Sequence, residues 1–292
     1  MKAELLDPRL PSCALGEGPV WDAEAQALYW VDIQGKTIHR YDVSTGEHKT
    51  RATPTTVGFA ALDDGGQIIA GLQDGISRIH FGNGSLQTIV KPQYAHPDNR
   101  FNDGKCDSRG RLWAGTMNDK DHAKPTGALY RLDERGLGEQ ATGIYVSNGL
   151  GWSPDDKTMY YTDTGTRKVW VYDYDIETGE ASGRRDFLSF EDKSKGKPDG
   201  MCVDSQGRVY NALWDGWGIS IHAPDGKSEG RIDLPVPRVT CCAFGGDDMK
   251  TLYITTASTG LSDAQKKEAP LAGCVFAVRM DIAGQPVARY HG

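Results

Sequence analysis

The sequence holds no run approaching the ~18 apolar residues that a membrane-spanning helix needs, and no block of clustered Lys and Arg. The first absence argues against a membrane partner. The second, with a formal net charge of −7, removes the electrostatic footprint that a nucleic-acid backbone requires. The six cysteines (Cys13, Cys106, Cys202, Cys241, Cys242 and Cys274) include no CxxC pair. Adjacent Cys241 and Cys242 could not bridge without strain, so buried reduced thiols are expected. The opening stretch MKAELLDPRLPSCALGEG carries charges and two prolines, where a signal peptide needs an apolar core of roughly 7–15 residues. A cytoplasmic protein is therefore expected. GxSxG, HExxH, GxxxxGK[ST] and GxGxxG are all missing. The seven His are scattered, and the sequence leaves a Ser-His-Asp triad open. Helix signals are almost absent too: only SDAQKKEAPL, after Leu261, could hold a turn or two before Pro270 ends it.

What is present is glycine (36), tyrosine (12) and tryptophan (7), with 38% hydrophobic and 25% charged residues. That balance belongs to a globular chain rather than a disordered one. A repeat emerges from short apolar-aromatic segments: ALYWVD, QIIAGL, RLWAGT, TMYYTD, RVYNAL and TLYITT. Turn-forming stretches, mostly rich in Asp, precede them (WDAEAQ, LDDGGQ, CDSRGR, WSPDDK, VDSQGR, GGDDMK), and a third strand follows each, as in TIHRYD and GALYRLD. Six units spaced roughly 40–50 residues apart, each with four short antiparallel strands, predict an all-β, six-bladed β-propeller. Residues 1–292 are expected to form one domain. An irregular β-sandwich is the competing architecture, but it gives no reason for the same turn chemistry to recur six times.

The first strand of each propeller blade lines the central channel. Counting back along the repeat from each aromatic marker finds Glu17-Gly18, Val57-Gly58, Asn102-Asp103-Gly104, Asn148-Gly149, Asp199-Gly200 and Thr240-Cys241. Four of these positions carry Glu, Asn or Asp, and their shared phase predicts that the side chains converge. Asx-Gly pairs are common turn residues, but a turn explains the glycine better than the side chain when an apolar strand follows. Converging carboxylate and amide oxygens without His or Cys predict a hard-cation site, suited to Ca²⁺, Mg²⁺ or Mn²⁺. Arg100 lies two residues before Asn102 and so shares its strand face. It is either a fork of donors for substrate oxygens or one half of a salt bridge to a loop Asp.

LGEGPVW, RFNDGKCD, RLWAGTM, GALYRLD, VSNGLGWS, PDGMCVD and FGGDDMKTLYITTA together resemble the gluconolactonase and regucalcin family, also called the senescence marker protein family. The likeness runs from about residue 14 to about residue 285. It implies a six-bladed propeller with one divalent metal in the channel (Ca²⁺, Zn²⁺, Mg²⁺, Mn²⁺ or Fe²⁺) that hydrolyses a small-molecule sugar lactone to the aldonic acid. It further implies Glu17, Asn148 and Asp199 as metal ligands, Asp199 as general base, and Arg100 and Asn102 as substrate contacts. After GTM, where regucalcin-like members carry a pair of Glu, this chain has Asn118, Asp119 and Lys120. Asp119 is the residue placed to take over a substrate contact there, and the sugar preference does not transfer. A phosphotriesterase-like hydrolase and a calcium-binding regulatory protein without turnover are the alternatives. A monomer or weak dimer is expected.

Overall fold

The computed structural model describes all 292 residues, in six four-stranded antiparallel sheets. Blade 1 runs through Gly16–Asp22, Ala27–Asp32, Thr37–Asp42 and His48–Ala52. Blade 2 follows with Val57–Leu62, Ile68–Leu72, Gly75–Ile79 and Leu86–Val90, and blade 3 with Asn99–Cys106, Leu112–Asn118, Gly127–Asp133 and Gly136–Ile144. Blade 4 comprises Ser147–Trp152, Thr158–Asp163, Lys168–Asp175 and Glu180–Ser189, and blade 5 Lys197–Val203, Val209–Trp214, Gly218–His222 and Ser228–Asp233. Blade 6 takes three strands late in the chain, Val239–Gly245, Thr251–Thr256 and Phe276–Arg279. Its fourth is Glu4–Leu5, which pairs antiparallel with Phe276–Ala277 and closes the ring. The sequence pattern gave no hint of that closing strand. The sandwich alternative is excluded by these six separate sheets.

Each blade grades outward from apolar to polar. The second strands are buried on both faces, as in ALYWVD of blade 1, because neighbouring blades cover both sides; the fourth strands are largely exposed and charged, as in SEGRID of blade 5. Packing between blades divides into six buried clusters, one per interface. Trp113 and Leu129 meet Leu150, Trp152 and Met159 between blades 3 and 4, and Tyr253 meets Trp21, Leu28 and Trp30 where blade 6 closes on blade 1. The recurrent turn acids earn their place by hydrogen bonding. Asp107 accepts from the amides of Arg109 and Arg111, and Asp204 from those of Gln206 and Arg208, so one carboxylate oxygen caps each hairpin. The single short helix, Asp263–Glu268, starts at a Ser262 and Gln265 capping box. All six cysteines are free thiols, and Cys241 and Cys242 pack within the inner strand of blade 6.

Every inner strand is bulged against its neighbour at the same depth. In blades 1, 3, 4 and 5 two inner residues oppose one: Gly18 and Pro19, Asn102 and Asp103, Asn148 and Gly149, Asp199 and Gly200. In blades 2 and 6 the extra residue is single, Gly58 or Thr240. The pairing of second and third strands shows no such shift in any blade.

The last residues run beneath the ring, with Ser205 donating to the Ala283 carbonyl, Gln285 to the Trp152 carbonyl at 2.8 Å, and Tyr290 to the Leu62 carbonyl. Between this segment and the later residues of the inner strands lies a cavity of about 150 Å³, lined by Cys106, Trp152, Cys202, Cys241 and Phe244, with Asp103 and Lys105 also contributing.

Candidate metal and substrate site

The bulges explain why functional side chains share one phase of the repeat. An extra residue breaks the strict alternation of faces and turns a side chain out of the sheet. Here it aims Asn102, Asn148 and Asp199 into the channel, while Glu17 sits immediately before the bulge of blade 1. All four are buried, at 3–6% exposure, as is Arg100. Channel residues this buried must be satisfied by one another, by a ligand, or not at all.

Most are satisfied along one chain of hydrogen bonds. The Arg100 guanidinium donates through Nη1 to Asn102 Oδ1 at 2.7 Å, and through Nε it pairs with Asp119, whose carboxylate is half-exposed at the rim. Of the two alternatives for Arg100, the structure shows the salt bridge to a loop Asp, Asp119. Asn102 Nδ2 donates to the Ser147 carbonyl at 2.7 Å and to Asn148 Oδ1 at 3.0 Å, so both its amide hydrogens are engaged. Asn148 Nδ2 in turn donates to Thr164 Oγ1 at 2.8 Å. Thr164 and Asp103 were not singled out from the sequence. Thr164 lies directly after the second strand of blade 4, where the corresponding positions of blades 1, 3 and 5 carry no hydroxyl. Asp103 lies beside Asn102 in the same channel segment of the repeat, where the sequence assigns it no separate role.

The carboxylates behave differently. Asp199 Oδ1 is buried without any hydrogen-bond partner. Burial, then the charges of Glu17 and Asp103, push the Asp199 carboxyl well above the usual range. Burial and then Asp103 raise that of Glu17, and burial raises that of Asp103. Left alone, the cluster is held toward its protonated form. A divalent cation would compensate this repulsion, and the donor set fits one: two carboxylates, plus an Asn148 oxygen with one lone pair still free. No three His, Cys, Asp or Glu are grouped to hold an ion. A cation here therefore depends on the Asn148 amide, with water or substrate completing its shell.

Residues 15–258 match the family described as the SMP-30/Gluconolactonase/LRE-like region. The chain is 37% identical over 288 residues to the pentonolactonase XacC of Haloferax volcanii, covering 95% of each chain. It is 36% identical over 277 residues to the 6-deoxy-6-sulfogluconolactonase of Pseudomonas putida, covering 94% of each. Among solved structures, the calcium-binding protein regucalcin of Agrobacterium tumefaciens superposes with a TM-score of 0.94 at 26% identity, covering 100% of this chain and 98% of that one. With the propeller, the bulged channel and the motif order all in agreement, the chain belongs to the SMP-30/gluconolactonase/LRE-like family.

Proposed function

We propose that this chain is an enzyme that hydrolyses sugar lactones of the aldonolactone class to aldonic acids, with one divalent cation held by Glu17, Asn148 and Asp199. The observation that carries the reading is the buried Asp199 Oδ1, which has no hydrogen-bond partner beside the paired chain Arg100, Asn102, Asn148 and Thr164. Lactonase relatives covering nearly the whole chain give the substrate class.

The cation, when bound, supplies Lewis-acid polarisation of the lactone carbonyl. Asp199 takes the proton from the attacking water, and its second oxygen remains available as a ligand. The ring oxygen leaves, taking up the proton that Asp199 removed from the water, and the ring opens to the acid. Arg100 presents donors to the substrate from the rim, its position fixed by Asp119 and by Asn102. Asp119, half-exposed, has a carboxylate edge that can accept from ring hydroxyls. Asn102 acts by bracing Arg100 and Asn148 together, because its two amide hydrogens are already committed. We further infer that residues 1–292 act as one cytoplasmic domain, a monomer or weak dimer.

The test is proton release from a panel of aldonolactones added to chelator-stripped protein, with and without Ca²⁺, Mg²⁺, Mn²⁺, Zn²⁺ and Fe²⁺, corrected for spontaneous opening. Metal-dependent acceleration is expected. Cation binding without acceleration of any lactone would overturn the enzymatic reading in favour of a calcium-binding protein.

A further inference from the structure

An asparagine is an awkward ligand for a cation, because its amide has two nearly isosteric ends and only the oxygen coordinates. Something must stop Asn148 from turning its NH₂ group into the channel. The hydrogen-bond chain contains the device. At one end the Pro198 carbonyl can only accept, and it receives the Thr164 hydroxyl proton at 2.7 Å. Thr164 Oγ1 has then no hydrogen left to give, so towards Asn148, 2.8 Å away, it can only accept. The Asn148 end facing Thr164 must therefore be the NH₂ group. At the other end the Arg100 guanidinium can only donate, which fixes Oδ1 of Asn102 towards Arg100 and its NH₂ towards Ser147 and Asn148. The two ends agree: Asn148 Oδ1 faces Asn102 and the channel.

We propose that Thr164 is a positioning residue for the cation site, a hydroxyl whose single proton, spent on the Pro198 carbonyl, locks the Asn148 amide with its oxygen toward the metal. Thr164 is itself held in place. Its backbone amide donates to the Val146 carbonyl, and the short 3₁₀ turn Thr164–Thr166 is capped by Asp163. The same hydroxyl ties blade 4 to the residue directly before Asp199 in blade 5, so one group sets two of the three ligands. The proposal rests on the metal-site reading above.

The experiment measures Ca²⁺ and Mn²⁺ affinity by calorimetry on chelator-stripped wild type, Thr164→Val and Thr164→Ser, with thermal melting of each cation-free protein alongside. Valine keeps the shape and removes the hydroxyl, while serine keeps the hydroxyl and removes the methyl. Thr164→Val is expected to weaken cation binding about 10- to 100-fold, with Thr164→Ser staying within about threefold of wild type. Wild-type affinity in Thr164→Val, or equal losses in both variants, would overturn the lock. If Thr164→Val does not fold, Thr164→Ala against Thr164→Ser carries the same contrast. A wild type that binds no cation would instead sink the metal-site reading itself, a result separate from either.

Discussion

Blades 1, 3, 4 and 5 differ from blades 2 and 6 at a single depth of the channel. In the first group the inner strand leaves two residues unpaired against one, and an acid or amide lies at or beside the bulge. In the second group the extra residue is Gly58 or Thr240, and neither points an ionisable group at the axis. The second group braces the first. A Cβ on Gly58 would lie 2.3 Å from the Phe101 carbonyl oxygen and 2.5 Å from that of Asn102, so blade 2 is pressed against the bulge of blade 3. Thr240 Oγ1 donates at 2.6 Å to the carbonyl of Gly16, the residue before Glu17. Four blades present the chemistry, and two hold it in place.

The hardest blow to this division falls on the presenting side. Asp199→Ala should reduce kcat/KM for the best aldonolactone by about 10³-fold or more, read by proton release, with the fold intact by circular dichroism. A fully active variant would remove the general base from the mechanism. A background must be separated before the braces are compared. Burial and then His48 hold His39 down to about 4 from 6.5, and both rings stack on Trp30. Because the folded value lies below the unfolded one, the unfolded chain binds the extra proton. Stability from this site is therefore full above pH 6.5 and lost as pH falls through about 4. The full loss is on the order of 3 kcal/mol, and denaturant melts at pH 7 and pH 4.5 will show wild type losing more stability between the two pH values than His39→Phe does.

With that limb set aside by working above pH 7, Gly58→Ala should cost about 1–3 kcal/mol of stability and also weaken cation binding, since it displaces Asn102. A loss of stability with unchanged affinity would reduce blade 2 to a packing element. The smallest effect belongs to Thr240→Val, which removes the buried hydroxyl's bonds to the Gly16 carbonyl and to Thr255 Oγ1 for about 1–2 kcal/mol. Melting and calorimetry on the same sample will tell whether Glu17 notices.

Much of this division was visible in the sequence, though not its cause. Glu17, Asn102, Asn148 and Asp199 were found by phase because a bulge recurs at a constant distance from the buried second strand, whose aromatic residues are easily recognised. The bulge itself leaves no local signature beyond a nearby glycine. Thr164 was illegible because its partner, Asn148, is 16 residues away and the corresponding positions of blades 1, 3 and 5 carry Asp32, Met117 and Trp214. Asp119 is placed near the substrate by resemblance, and its ion pair with Arg100 joins the loop after the second strand of blade 3 to that blade's inner strand, a contact only the fold reveals. The closing strand Glu4–Leu5 is two residues long, too short for any periodicity to reveal.

That strand has a consequence for how the molecule comes into being. Leu5 pairs with Phe276, so during synthesis at about 5–20 residues per second Glu4–Leu5 waits roughly 15–50 s for its partner. Five blades can form meanwhile, yet the interface between blade 6 and blade 1, which seats Glu17, has nothing to close upon until the strands of blade 6 have been made. The nascent protein is thus an open arc, and its channel becomes a binding site only once Phe276 has emerged to pair with Leu5.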